Sequence, residues 1–350
     1  MAGQSQIISL IGSGKIKMEK QKLLKIIALI LGKLVRMASL LFAICLISFF
    51  LIKNSPIDPV QAYVSGDMLS VGPEQKQKIA EYWGLNQPAR IQFVNWAKAL
   101  LKGDLGISMI YRRPVFEIIR ERFFNSIILM LSAWILSGAL GFILGSLAAL
   151  KKDSWFDRIV KWYCYTLVSV PTFWLGLLLM MVFPVWLGWF PIGLSVPPGI
   201  LAGEVTLINR LSHLVLPTVT LSLAGLANVA LHTRQKLIEV LASEHILFAR
   251  ARGIEGFPLF WQYALRNIAV PGITIQFAAF SELFGGVILA EQVFSYPGLG
   301  QATVQAGLSG DTALLLGLVI FSTFFVFTGN LIADLLYYIL DPRTRESGVI

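Results

Sequence analysis

The sequence predicts an all-α, polytopic membrane protein with six transmembrane helices and both ends of the chain on the cytoplasmic side. Three observations carry this. Of the 350 residues, 56% are hydrophobic and 14% are charged, against about 25% charged in a soluble globular domain. Mean hydropathy is +0.71. The apolar residues gather into stretches near the length of about 20 that crosses a bilayer, and Lys and Arg collect at alternate ends of them.

The six stretches run from about Leu34 to Ile52, Ser126 to Leu150, Tyr163 to Trp186, His213 to Leu231, Ala269 to Leu289 and Ala313 to Leu340. Each must be helical, because a segment isolated in lipid has to satisfy its own backbone. No run of alternating ten-residue barrel strands is present.

Before the first stretch stand Lys15, Lys17, Lys20, Lys22, Lys25, Lys33 and Arg36. After the second come Lys151, Lys152, Arg158 and Lys161. After the fourth come Arg234, Lys236, Arg250, Arg252 and Arg266, and after the sixth Arg343 and Arg345. The short loops on the other side hold Arg210 alone. The basic ends face the cytoplasm, so most of the formal charge of +9 is a topology signal, and nucleic-acid binding is not expected.

Five regions follow. Residues 1–33 form a basic cytoplasmic extension lying partly on anionic lipid, rather than a cleaved secretory signal, since no small-residue cleavage site follows. Residues 34–52 are the first membrane helix, and 53–123 an extracytoplasmic loop. Residues 124–343 are a five-helix core with a cytoplasmic loop at 234–268, and 344–350 a cytoplasmic tail. In the outer loop, turn signals at Asn54-Ser55-Pro56, Val71-Gly72-Pro73 and Asn86-Gln87-Pro88 bracket amphipathic runs at Pro73–Gly84 and Ala89–Leu101. Ile91, Val94, Trp96, Leu100 and Leu101 roughly share a face of the second. This predicts a small helical cap.

Catalytic chemistry is missing. No phosphate-binding loop occurs; Gly12-Ser13-Gly14-Lys15 lacks its spacing and its Ser/Thr. His213, His232 and His245 are far apart and read as packing or capping residues. Cys45 and Cys164 make neither a disulfide framework nor a metal site. An enzyme is therefore disfavoured, and no cofactor is expected in this chain.

The loop after the fourth stretch is the most informative segment. Glu244-His245-Ile246-Leu247-Phe248-Ala249-Arg250-Ala251-Arg252-Gly253 reads as a helix closed by a glycine turn, with a second helix from Leu259 to Ile268. The small residues Ala249, Ala251 and Gly253 allow a partner to approach closely, and the arginines flank them. A helix-in-groove contact suits this element. An ordinary basic loop that fixes orientation fits it equally well from the residues alone.

The chain from Lys33 to Arg343 resembles the permeases of ABC importers in the dipeptide/oligopeptide/nickel family. The resemblance rests on Ser55-Pro56-Ile57-Asp58-Pro59, Gly84-Leu85-Asn86-Gln87-Pro88, Gly103-Asp104-Leu105-Gly106-Ile107-Ser108 and Arg113-Pro114-Val115. It continues through Ser169-Val170-Pro171-Thr172-Phe173-Trp174-Leu175-Gly176, His213-Leu214-Val215-Leu216-Pro217, Ala249–Gly253, and Ala264–Asn267 ending at Pro271. It closes with Glu291–Gly300 and Asp341-Pro342-Arg343. The sequence departs from the pattern where Leu247-Phe248-Ala249 replaces the general Glu-Ala-Ala, and His245 the usual Tyr.

The resemblance implies a type I importer permease fold and transport rather than catalysis. Expected partners are a second, different permease subunit, two cytosolic ATPase subunits that carry ATP and Mg, an extracytoplasmic solute-binding protein, and membrane lipid. Glu244, His245, Ala249, Arg250, Ala251, Arg252 and Gly253 would form the coupling helix that docks on an ATPase. Pro297, Gly298 and Gly300 would meet the binding protein together with the outer loop. Ser281, Glu282 and Pro171 are candidates for the translocation path, with Pro171 and Pro271 as hinges. Glu282 and Asp334 are acids inside membrane stretches, where charge is costly and points to function; Asp334 is read as structural, held by Asn330 or a neighbouring helix. Cargo stays open between nickel, free or chelated, and short peptides. Ser281–Gly286 leans it toward metal, with no metal ligands identified. An ion-coupled carrier or a membrane enzyme is the alternative class.

Overall fold

In this computed structural model the described residues are 31–51, 53–54, 60, 72–82, 84–200 and 204–340. The expected basic extension, the tail, the Ser55–Pro59 motif and Asp341–Arg343 lie outside them.

The first membrane helix, α1 (Leu31–Leu51), touches the rest of the chain sparingly; Cys45 and Phe49 are its buried side chains. Phe49 meets Phe93 edge-on, 5.2 Å between ring centres, which seats the outer cap on the top of α1. The cap contains α2 (Pro73–Tyr82) and α3 (Ala89–Leu101). Gly84 and Gly103 take φ of +65° and +80° to end these helices, a conformation open to glycine without a Cβ clash. The apolar face of α3 is not the one expected. Of the expected set Trp96 and Leu100 are partly buried, but Ile91, Val94 and Leu101 are exposed, and Phe93 turns inward in their place.

Helix α4 (Val115–Leu150) has 36 residues, about 54 Å at 1.5 Å per residue. It therefore starts a full eleven residues before the expected boundary at Ser126 and projects beyond a hydrocarbon layer of about 30 Å. A tight turn precedes it: Ile107 bridges Pro114, and Val115 N–H donates to Gly106 C=O at 3.0 Å.

The third stretch is a broken pair. Helix α5 (Trp155–Ser169) is N-capped by Ser154, whose hydroxyl accepts from Asp157 N–H at 3.3 Å. It ends at Val170-Pro171, and α6 (Thr172–Trp186) leaves at 104°. A residue before proline is pushed out of the helical region, and Val170 has ψ 127°. Helix α7 (Leu207–Leu241) is capped by Thr206 and runs straight through Pro217. Short α8 (Glu244–Ala251) follows, then the Gly253 turn at φ +81°.

The fifth stretch is also broken, into α9 (Gly256–Ala278) and α10 (Phe280–Val293) at 50°. The bend falls at Ala279. Pro271, expected near a kink, lies inside α9. Helices α11 (Leu299–Leu308) and α12 (Thr312–Leu340) complete the chain. Among the described residues four helices are long and apolar enough to cross a membrane alone, and up to six spans result if each bent pair counts as one.

The bundle is centred on α4 against α7. Ala133, Ser137, Gly141, Gly145 and Ala149 are buried at every fourth position of α4, one continuous stripe of small residues. Such stripes let helix backbones approach closely in lipid, where dispersion contacts replace the hydrophobic effect. A Cβ on Gly141 would stand 2.8 Å from Leu226 C=O, and one on Gly145 would strike Ala230 C=O. Asp157 of α5 is fully buried against the far end of α7. Arg234 grips it bidentately at 2.5 and 2.7 Å, and Lys161 lies at 3.5 Å. Asp334 pairs with Lys33 of α1, not with Asn330, which accepts instead from Ser281 Oγ at 2.7 Å.

Candidate functional site

Three places on this scaffold hold the residues singled out above. The first is α8. Ile246 and Ala249 point inward and join Ala149, Leu237, Val240, Leu259, Ala264 and Ile268 in one apolar cluster. The opposite side of α8 and the start of α9 is open. Leu247 and Phe248 are exposed, and so are Phe257 and Trp261, whose rings stack at 5.9 Å. Glu244, Arg250, Ala251, Arg252 and Gly253 are exposed as well. His245 lies 3.0 Å from Ser243 Oγ and 3.2 Å from Asn267 Nδ2, which holds the first turn of α8 to α9. Ala249 corrects an expectation: it is buried against the bundle, so close approach by a partner falls to Ala251 and Gly253. The exposed aromatic surface is the signal the small-residue reading passed over.

The second place is a cavity of about 80 Å³ between α4, α6, α7, α9 and α10. Trp134, Ser137, Thr172, Asn228, Gln276 and Glu282 are among its lining residues. Thr172 opens α6 just after the Pro171 break, and Ala279, at the other break, lines the same cavity. Both interrupted spans thus open onto one hollow, mainly apolar but with several polar side chains in its wall, as expected where irregular backbone at membrane depth is tolerated. Gln276 ties α9 to α4: its amide donates to Trp134 C=O at 2.6 Å and Ser137 Oγ at 3.2 Å, and its own C=O accepts from the Trp134 indole at 3.1 Å. Glu282 is exposed and has no ion pair among the described residues. Ser281 faces α12 through Asn330, so of the three expected path residues it is Glu282 that lines the cavity, with Pro171 one residue behind its wall.

The third place is the turn from α10 into α11. Glu291 is fully buried. Its carboxylate accepts from Ser126 Oγ at 2.5 Å, Gly300 N–H at 2.7 Å and Gln301 N–H at 3.2 Å. It therefore caps the N-terminus of α11, where free N–H groups and the helix dipole favour negative charge. Ser126 Oγ accepts in turn from Leu299 N–H at 2.8 Å, and Asn125 Nδ2 donates to Pro297 C=O at 2.8 Å. Burial pushes the nearby Tyr296 phenol up to about 12, so it stays protonated. A Cβ on Gly298 would strike the Glu291 carboxylate. Gly298 and Gly300 are buried and Pro297 is half-buried. Both glycines are closed in by the fold, since a Cβ on Gly298 would meet Glu291 and one on Gly300 would meet Ile288, so of the expected contact residues only Pro297 is partly open. A second buried acid, Asp311, works alike. It accepts from Ser108 Oγ at 2.6 Å, Ile110 N–H at 3.1 Å and Leu314 N–H at 3.1 Å, which pins the outer loop to the start of α12. Neither acid was singled out from sequence. Glu291 is recognisable as an acid ending an apolar run, but its partners lie across the fold.

Residues 141–346 match the family model described as "Binding-protein-dependent transport system inner membrane component". The chain belongs to that family. It is a multi-pass permease of the bacterial inner membrane, as the family description and its apolar helices require. The permease is 33% identical to the oligopeptide transport system permease protein AppB of Bacillus subtilis, over 87% of this chain and 95% of that one. It is 35% identical to a putative peptide transport system permease protein of Brucella abortus, over 91% and 99%. It is 33% identical to the probable D,D-dipeptide transport system permease protein DdpB of Escherichia coli, over 87% and 94%. Among solved structures, an inward-facing form of the MetNI methionine ABC transporter superposes with a TM-score of 0.52 at 14% identity, covering 65% of this chain and 97% of that one. That likeness shows the type I permease fold and nothing finer.

Proposed function

We propose that this chain is the membrane-spanning half of an ABC importer for short peptides, pairing with a second permease, two cytosolic ATPases and an extracytoplasmic binding protein. The observation that carries the path is the single cavity onto which both broken spans open, with Glu282 in its wall. Transporters use interrupted helices at midmembrane to place polar groups around cargo. Glu282 meets the cationic amino terminus of a peptide, while Asn228, Gln276 and Thr172 offer neutral hydrogen-bonding groups to its amides. The related permeases described above are named for peptides, which favours that cargo over the metal to which Ser281–Gly286 leans. The described residues also hold no group of three or more His, Cys, Asp or Glu able to bind a metal ion.

Coupling runs through α8. With both chain ends and the loop 234–268 in the cytoplasm, Leu247, Phe248, Phe257 and Trp261 form the apolar surface that docks on an ATPase. Ile246 and Ala249 carry the push into α7 and α9. ATP and Mg are bound by those partner subunits, and this chain hydrolyses nothing. The cap of α2 and α3, with the half-open Pro297, receives the binding protein.

Uptake by proteoliposomes containing the whole transporter tests this. Labelled dipeptides or tripeptides should enter with ATP, and Glu282→Gln should cut entry at least tenfold while the transporter remains assembled. Uptake of nickel without peptide, or unchanged peptide uptake by Glu282→Gln, overturns the cargo reading. Failure of an ATPase to copurify overturns the coupling reading.

A further inference from the structure

The side of α5 that faces away from the bundle carries a pattern that neither transport nor coupling uses. Trp155, Arg158, Ile159, Trp162, Tyr163 and Thr166 line one shallow groove of about 480 Å³ along the helix. Trp155 and Trp162 are 78% and 79% exposed. The other side of α5 is fully engaged: Asp157, Val160, Cys164 and Leu167 are buried, and Asp157 is paired with Arg234 and Lys161. Arg158 belongs to the groove instead, and no ion pair reaches it among the described residues. Lys151 and Lys152 stand in the turn just before the helix, Lys151 5.4 Å over the Phe156 ring.

Arg158 is exposed between the indoles, with its fork of donors available, and a guanidinium matches a phosphate bidentately. Indoles favour the boundary between acyl chain and headgroup. Basic pockets on the cytoplasmic side bind anionic lipid headgroups. The Lys-rich residues 1–33 carry the same sign as the groove, so charge complementarity favours an anionic occupant over that segment. We propose that this groove is a binding site for an anionic phospholipid of the inner leaflet. Its phosphate sits on Arg158, and its acyl chains lie along Trp155, Ile159 and Trp162. The assignment rests on the proposed orientation, which puts α8 and the start of α5 on the same, cytoplasmic side.

Native mass spectrometry of the intact transporter in mixed micelles of phosphatidylglycerol and phosphatidylethanolamine tests the site. The parent should retain phosphatidylglycerol in preference. Arg158→Gln should lower that retention about fivefold, the share of one basic side chain near an anionic surface, and leave phosphatidylethanolamine unchanged. Arg158→Lys should restore at least half. ATPase copurification with each variant reports separately on fold and coupling, so its loss in the parent overturns the coupling reading and leaves the lipid result standing. Equal retention of phosphatidylglycerol by parent and Arg158→Gln overturns the site. So does equal retention of the two lipids, or a Trp162→Cys transporter that a short thiol-to-amine cross-linker joins to the second permease.

Discussion

The short helices α8 and α11 lie outside the long spans, and they are held in opposite ways. Helix α8 rests on apolar side chains, Ile246 and Ala249 in a cluster of buried residues, and keeps its charged groups exposed. Helix α11 rests on a buried carboxylate, Glu291, which takes a hydroxyl and two backbone N–H groups. Apolar contact is non-directional, so apart from the His245–Asn267 link at its first turn the footing of α8 fixes its angle less strictly than hydrogen bonds would. The bonds to Glu291 have fixed lengths and angles, so α11 stays where it is put. On the function proposed above, α8 would take the push of an ATPase and α11 would frame the outer turn, and the two kinds of anchor suit those different needs.

The sharpest way to break the contrast is Glu291→Ala. It orphans the Ser126 hydroxyl and the N–H groups of Gly300 and Gln301, each worth about 1–3 kcal/mol when buried without a partner. Thermal unfolding of the purified permease should show a loss of about 3 kcal/mol or more, and a loss under 1 kcal/mol would refute the clasp. Ile246→Ala removes the central apolar foot of α8 at a cost of about 2–4 kcal/mol, seen in the same melt together with weaker ATPase binding. Ser126→Ala should cost about 1–2 kcal/mol, since it breaks one link and leaves Leu299 N–H without its acceptor. Phe248→Ala is the smallest in stability, within about 0.5 kcal/mol because the ring is exposed. It should nevertheless abolish ATP-driven uptake. A Phe248→Ala transporter with normal uptake would mean that the open face of α8 touches nothing.

The six apolar stretches were legible because length and hydropathy are properties of a segment. Their breaks were legible in part. Pro171 marks the 104° bend through its effect on Val170, but nothing in Ala278-Ala279-Phe280 announces the second bend. That bend follows from tertiary contact: Phe280 packs so tightly on Gly329 that a Cβ there would strike its ring, and Ser281 is bonded to Asn330. Pro271 misled for the converse reason, since the helix carries on around it. The helix from Glu244 and its closing turn at Gly253 were legible in outline, yet the sequence pattern gave no way to see that Ala249 turns inward while Phe257 and Trp261 face out. Glu291, Asp311 and Asp157 were hidden because an acid's role depends on what donates to it. Ser126, Ser108 and Arg234 are far away along the chain.

The stripe from Ala133 to Ala149 has a consequence for how the chain is made. Helix α4 emerges from the ribosome with its small-residue face ready, while the helix that covers it, α7, is synthesised after both halves of the α5–α6 pair. During that interval the face meets lipid, to which glycine and alanine present little to mispair. Once α7 arrives, Leu226 and Ala230 settle against backbone rather than side chains. A bulky residue at Gly145 would be accepted by the insertion machinery and would fail only at this later step, leaving a full-length chain in the membrane that no partner helix can close.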